Sequence, residues 1–348
     1  MLSESRIGLA LGGGGARGVA HILVCEVFDE LGIKPALIAG TSIGAIVGAA
    51  YATGLQGRDI RERVCAFYAR RRDVLTKLWR ARPLAFTDLL RGRSLSPQFD
   101  ARLILDTFVP SFERLPETFA ELAIPLKIVA CDFYAASEVV LEKGELKPAI
   151  AASIAIPALF RPVMVNGRYL IDGGACNPLP FDHIAECAIT VASDVTGGPS
   201  QLDRAPRLME CVVGAAQISM QSVIREKLKS HQPNILVRPE INGIFIMDFL
   251  KTQAILDMNV AFKDDLKRRL DTIVNTPFDD PVPSPALPKE VAEKSGRRRL
   301  TDSGINLWHM MAGGRLKEAD PVLDAAALRV SSGVVEPANA SERNGRGA

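Results

Sequence analysis

Apolar residues in the first part of the chain come in two kinds of run. Ile7-Gly-Leu-Ala-Leu11 is short, continuous and closed by glycines, the pattern of a strand buried on both faces. Between residues 19 and 31 the apolar side chains Val19, Ile22, Leu23, Val27, Phe28 and Leu31 recur at helical spacing, and Gly32 stops the helix. A second strand is expected over 36–39, followed by Gly-Thr-Ser-Ile-Gly and an alanine-rich helix running to Gly54. Short apolar runs at 126–130, 138–141, 169–171, 188–192 and 235–238 supply further strand candidates. Strands alternating with helical stretches predict an α/β fold with a sheet that is parallel in its core.

Two regions break this alternation. Residues 58–93 hold eleven Arg or Lys against four acids, with apolar and aromatic residues such as Phe67, Tyr68, Trp79 and Phe86 between them. Such a stretch is either a surface helix lying on an anionic membrane or a solvated cap over the sheet. The membrane reading predicts binding to anionic vesicles that weakens with salt. The second break comes at Thr276: residues 277–288 contain five prolines, Arg297-Arg-Arg299 follows, and the chain ends in a polar tail. The expected organisation is one domain over 5–275, with a basic cap-like insertion near 58–120, then a linker and weakly ordered tail over 276–348.

Composition narrows the picture further. At 348 residues, 47% apolar and 24% charged, the chain can bury a large core, and wholesale disorder is excluded. A net charge of +2 argues against a nucleic-acid partner. The six cysteines are widely spaced, without C-x-x-C, which predicts buried free thiols in a reducing compartment. Four scattered histidines make a metal site unexpected. Residues 35–57 carry no charge and could span a bilayer by length, but five glycines among them favour a buried strand, turn and helix. Without a basic segment leading into a long apolar run, no secretory signal is expected at the N-terminus, and the protein is placed in the cytoplasm, peripheral to membranes at most.

Three short segments carry candidate chemistry. Gly12-Gly-Gly-Gly-Ala-Arg-Gly18 lies between a strand and a helix and contains Gly13-x-Gly15-x-x-Gly18, the spacing of a dinucleotide loop. The second strand, however, ends in Gly40-Thr-Ser42 with no carboxylate for a ribose, and Arg17-Gly18 stands where a Walker loop needs Gly-Lys. What remains is a set of backbone N–H groups at a helix start, suited to a bound anion or a transient oxyanion, or else a structural turn. Gly40-Thr-Ser42-Ile-Gly44 is a G-x-S-x-G sequence between strand and helix, which makes Ser42 the candidate nucleophile. A triad of Ser42, Asp172 and His183 leaves too little chain between the last two, and no other histidine has a better claim. Asp172, at a strand end before Gly173-Gly174, is placed either as the general base for Ser42 or as a cap on its own turn.

Taken in order, Gly13-Gly-Gly15-Ala-Arg17-Gly18, Gly40-Thr-Ser42-Ile-Gly44 and Asp172-Gly173-Gly174 resemble the motifs of the bacterial patatin-like phospholipases. The flanking text, Ala20-His21, Ala151 to Pro157 with Pro162, and Asn177-Pro-Leu-Pro180, resembles them too. The likeness covers about residues 5–195. It implies a three-layer α/β/α sandwich with a mostly parallel sheet and a Ser42–Asp172 dyad that needs neither histidine, metal nor cofactor. It also implies an oxyanion hole from the loop bearing Gly13, Gly14, Gly15 and Arg17, with Arg17 steadying that loop or sitting near a phosphate. The implied substrate is a phospholipid or another fatty-acyl ester, cleaved through an acyl-enzyme. Two rival activities remain open: acyl transfer from the same acyl-enzyme, and nucleotide binding by the glycine loop.

Overall fold

Strand β1 (Ile7–Leu11) is buried along its whole length because it is paired on both edges and covered on both faces. It runs parallel to β2 (Leu37–Thr41) on one side and to β7 (Ile189–Ser193) on the other. In this computed structural model, which describes residues 7–69, 99–102, 105, 115–199 and 203–275, eight strands form one sheet. The remaining strands are β3 (Leu126–Asp132), β4 (Ser137–Leu141), β5 (Val163–Val165), β6 (Arg168–Asp172) and β8 (Ile235–Val237). Their order is β5-β6-β3-β2-β1-β7-β8, with β4 paired to β3 beside that path. The β3-β2-β1-β7-β8 segment is parallel, and β4, β5 and β6 join antiparallel.

Alternating side chains divide the core into two layers. Leu9, Leu11 and Ile38 point into the larger one, built from α1 (His21–Glu30), α2 (Ile43–Ala52), α3 (Gly57–Ala69), α4 (Leu146–Ser153), α6 (Thr252–Asp257) and α7 (Val260–Asn275). Ala10, Leu37 and Ala39 point the other way, against Phe181, Ile184 and Ile224 of α5 (Leu208–Ser230). Helices on both faces of a mostly parallel sheet make the three-layer α/β/α arrangement that the motifs imply.

Several expectations shift in detail. The strand expected over 36–39 continues through Gly40 and Thr41, because the ladder to Leu11 and Ile128 holds the glycine in place. The helix expected from residue 19 starts as a 3-10 turn, Gly15–Ala20, before α1. Strand β5 was unexpected, although its hairpin turn, Asn166-Gly167, has positive φ at both residues and is a strong local turn signal. The uncharged stretch 35–57 forms β2, a turn and α2, and no helix among the described residues is long and apolar enough to cross a membrane.

The cysteine expectation is corrected: Cys131 and Cys176 are paired as a disulfide, Cys25, Cys65, Cys187 and Cys211 are free, and of those only Cys25 is buried. Strand β3 and the turn after Asp172 bring the pair together across 45 residues, a proximity that linear spacing does not encode. The basic stretch 58–93 is described only as far as α3, and the expected linker and tail over 276–348 lie outside the described residues. Within α3, Arg61 grips Glu26 of α1 with two hydrogen bonds of 2.5 and 2.7 Å, so this arginine serves the fold.

Glu26 also accepts from Lys263 of α7 at 2.7 Å, so one nearly buried carboxylate joins three helices. Burial pushes its pKa up, but the hydrogen bonds from Arg61 and Lys263 outweigh burial and hold the carboxyl below its usual range. Removing the carboxylate takes away the partner of Arg61 and leaves Lys263 with Glu30 as its counter-charge, in a half-buried seam. Glu26→Ala is therefore expected to lower unfolding stability by about 2–4 kcal/mol. Denaturant titration checks this, and a midpoint unchanged from wild type would refute it.

Candidate active site

The turn out of β2 is sharp. Ser42 has φ 55° and ψ −122°, a conformation that a side chain other than glycine adopts at a cost of about 1–3 kcal/mol. Three contacts impose it. The Ser42 N–H donates to Ser153 Oγ at 2.8 Å, and the Ser153 hydroxyl donates to Val129 O at 2.6 Å, linking α4 and β3 to the elbow. Thr41 Oγ1 donates to Asn177 O at 2.8 Å. On the far side Gly44 presses against the end of β1, where a β-carbon would collide with the Leu11 carbonyl. Gly40 lies beneath the first turn of α2, and Gly18 packs on Ile43.

Asp172 arrives from the antiparallel edge of the sheet, where β6 pairs with β3 so that Asp172 stands opposite Ala130. Its two oxygens take different partners. Oδ2 accepts from Ser42 Oγ at 2.6 Å, and Oδ1 accepts from Gly174 N at 2.7 Å. The aspartate thus caps its own turn with one oxygen and faces Ser42 with the other. Gly173 sits against Val129, and Gly174 faces the methyl group of Met220 on α5. Burial pushes the Asp172 pKa up from 3.8 to about 6, against the opposing pull of the hydrogen bonds from Ser42 and Gly174. A carboxylate so placed can take the serine proton near neutral pH.

The glycine loop runs alongside. Gly12 N–H donates to Ser193 O and Gly13 N–H to Pro178 O, so both belong to the scaffold. Ala16 N–H donates to Ile246 O. Gly14 and Gly15 donate to none of the loop or cap acceptors among the described residues. Gly15 has φ +60°, and a β-carbon there would strike the Ile246 carbonyl, so the loop needs glycine at this position. Arg17 is buried, and its guanidinium donates to the carbonyls of Ile244, Thr196 and Gly198. Gln217 of α5, with its amide oxygen turned inward, accepts from the same group at 2.6 Å. Arg17 and Gly13 are accordingly reassigned from the oxyanion hole to the scaffold: their donors are spent on carbonyl oxygens.

His21 is fully buried beneath the loop, with Nδ1 3.0 Å from Ser193 Oγ and Nε2 2.9 Å from Gly12 O. Burial lowers its pKa to about 4, so the imidazole stays neutral while it pins the loop to β7. His183, the rejected triad member, lies in a separate polar cluster where its Nε2 is 2.6 Å from Glu138. Glu138, Asp182 and His183 have the proximity of a metal site, but Lys227 Nζ donates to Asp182 at 2.6 Å and to the Asn177 side chain at 2.6 Å. That ammonium already supplies the positive charge. Asn177 in turn donates its N–H to Gly173 O, fastening the turn after Asp172 to α5.

Sequence reasoning thus found Ser42 and Asp172, which meet, and missed Ser153, Asn177 and Lys227, which hold them. Ser153 stood out only as a lone hydroxyl in an alanine-isoleucine run, and nothing local marks Lys227 among the charges of its helix.

The chain is similar to several known proteins. A model of the patatin-like phospholipase family matches residues 9–185. An uncharacterized NTE family protein of Mycobacterium tuberculosis (strain ATCC 25618 / H37Rv) is 37% identical over 208 residues, covering 57% of this chain and 52% of its own. Lysophospholipase NTE1 of Kluyveromyces lactis is 26% identical over 305 residues, covering 77% of this chain and 20% of its own. Among solved structures, VipD from Legionella pneumophila aligns with a TM-score of 0.41 at 14% identity, over 75% of this chain and 67% of that one. The chain spans about half the length of the NTE family relative named above.

His21→Ala leaves Ser193 Oγ and Gly12 O without their buried partner and opens a cavity under the loop. A loss of about 2–4 kcal/mol is expected in denaturant unfolding. In the wild type, the unfolded chain takes up a proton at His21 near pH 6.5, whereas the folded chain does so only near 4. This residue's contribution is therefore complete above pH 6.5 and fades as pH falls towards 4. Comparing unfolding of wild type and His21→Ala at pH 7 and pH 5 checks the sign, since the gap between them should narrow at the lower pH.

Proposed function

The chain belongs to the patatin-like phospholipase family, and from that premise we propose that it is a lipid acyl hydrolase working through Ser42 and Asp172. The observation that carries the reading is the 2.6 Å hydrogen bond from Ser42 Oγ to a buried carboxylate whose pKa is raised to about 6. An ester carbonyl placed over Ser42 is attacked by Oγ while Asp172 Oδ2 takes the proton. The tetrahedral oxyanion is held by the N–H groups of Gly14 and Gly15, which are not spent on the scaffold. Asp172 then returns the proton to the departing alcohol. Water enters along the same line and attacks the acyl carbonyl as Asp172 takes its proton; Asp172 returns that proton to Ser42 Oγ as the ester bond to Ser42 breaks and the fatty acid leaves. A phospholipid or lysophospholipid is the substrate class that the family description and the name of the Kluyveromyces lactis relative suggest. Peripheral contact with a lipid surface follows from such a substrate.

Wild type, Ser42→Ala and Asp172→Asn should be compared for fatty-acid release from mixed phospholipid vesicles and for hydrolysis of a soluble nitrophenyl ester. Both substitutions are expected to cut turnover by about a thousandfold or more. An active Ser42→Ala protein would refute the assignment. Products that appear as transesterified acceptor in place of free fatty acid would move the reading to acyl transfer.

The pH dependence gives a second check. Asp172 must be ionised to act as base, so kcat/KM on the soluble ester should rise with an apparent pKa near 6 and level off above it. The same shift carries a stability cost. Because the folded pKa lies above the unfolded one, stability from this group is full below pH 3.8 and declines as pH rises to about 6. Keeping the buried carboxylate charged at pH 8 costs about 3 kcal/mol. Asp172→Asn avoids that cost and is expected to be no less stable than wild type at pH 8 by thermal unfolding.

A further inference from the structure

Helix α5 has two faces with different tasks. The inner face is committed to the site: Gln217 holds Arg17, Met220 covers Gly13 and Gly174, Ile224 packs on the sheet and Lys227 secures Asn177. The opposite face carries Leu208, Cys211, Val212, Ala215 and Ile218 at helical spacing, and all five are exposed. Leu208 is 79% exposed, Val212 48% and Ile218 52%. No charged residue occurs from 211 to 224, whereas the last turns bear Arg225, Glu226 and Lys229 at the surface. A run of that length extends about 20 Å along the helix.

A second apolar element stands next to it. Phe245 and Met247, 44% and 57% exposed, flank Ile246, whose carbonyl receives the Ala16 N–H of the glycine loop. Arg17 joins the two elements, donating to Ile244 O on one side and to Gln217 on the other. Exposed apolar side chains therefore stand on both elements that clasp the oxyanion loop.

We propose that the outer face of α5, flanked by Phe245 and Met247, is the surface on which the enzyme docks on a lipid bilayer. The proposal rests on the lipid acyl hydrolase reading and adds to it where the protein meets its substrate. The face suits lipid for a physical reason. It is apolar over some three turns from Leu208 to Ile218 and carries no charge from 211 to 224, where Ser219 and Ser222 continue it, so it suits an occupant that is largely apolar and needs no counter-charge. The acyl region of a bilayer meets that condition, with Arg225 and Lys229 left at headgroup level. A helix this thin, about 10 Å across, sets Met220 and the dyad directly behind the docked face. Binding of this kind depends on buried apolar area and not on lipid charge. That separates it from the basic stretch 58–93, for which anionic lipid and low salt would be needed.

The free, exposed thiol of Cys211 lies on the face and offers a reporter. In the full-length chain with Cys65 and Cys187 changed to Ser, Cys211 is labelled with an environment-sensitive NBD group and mixed with phosphatidylcholine vesicles, with and without phosphatidylglycerol. NBD emission is expected to rise about twofold or more on both vesicle types and to persist at high salt. Unlabelled Val212→Asp/Ile218→Asp is the matching variant. It is expected to hydrolyse the soluble nitrophenyl ester within about twofold of wild type while vesicle hydrolysis falls about tenfold or more.

The outcomes separate the two readings. A wild type inactive on the soluble ester defeats the hydrolase reading itself. A wild type active on it, with unchanged vesicle binding and hydrolysis in the double variant, overturns the docking face alone. Binding confined to anionic vesicles and abolished by salt, with NBD silent, would assign the contact to the basic stretch. A wild type that dimerises in solution and becomes monomeric in the double variant would show that a second copy covers the face.

Discussion

Everything around the site serves one short hydrogen bond, from Ser42 Oγ to Asp172 Oδ2, made between two buried side chains. The bond requires a serine in a left-handed backbone conformation and an aspartate that would sooner be protonated. Neither condition is comfortable. The elbow stores local strain, and the buried carboxylate shifts its pKa upward. Both persist only because the surrounding structure over-determines them. Ser153 holds the elbow by its N–H, Gly44 lets α2 press on β1, and Gly174 occupies the carboxylate oxygen that Ser42 does not use.

The scaffold solves a second problem, which is to bring three strand ends and one loop to the same point. Parallel pairing aligns the ends of β1, β2 and β3, placing the glycine loop next to the elbow. Asp172 comes from the antiparallel part of the sheet, so its strand reaches the site from the opposite direction. Buried polar groups then lock the pieces: His21 ties the loop to β7, Arg17 ties it to the 244–246 segment, and Asn177 ties the aspartate turn to Thr41 and α5. Donors of Gly12, Gly13 and Arg17 are consumed in this locking, whereas Gly14 and Gly15 donate to none of the loop or cap acceptors among the described residues. The same helix that closes this lattice from behind turns an uncharged face outward over residues 211–224.

Much of this is legible in the amino-acid sequence. The run 7–11, the helical spacing over 19–31 and the G-x-S-x-G elbow are local patterns, and local patterns follow from period and steric freedom alone. Asp172 was legible as a strand-end carboxylate before two glycines for the same reason, although its contact with Ser42 is made across 130 residues of chain. The strand ends were harder. Gly40 reads locally as a stop, yet ladder partners on both sides carry β2 through it. The Cys131–Cys176 bond was missed because 45 residues separate the pair and the spacing carries no trace of the antiparallel pairing that joins them.

By itself, the sequence determined the strand and helix periods, the glycine positions where only a bare backbone fits, and the two side chains, Ser42 and Asp172, that meet at the site. These depend on interactions within a few residues, so they are written in consecutive letters. Tertiary structure alone decided which donors remain free for chemistry, which arginine and histidine are structural, and which lysine fills the polar cluster beside the aspartate turn. It also decided which face of α5 looks inward. Such outcomes are competitions among groups far apart in the chain for a limited number of buried partners, and folding settles them by proximity, which no local pattern records.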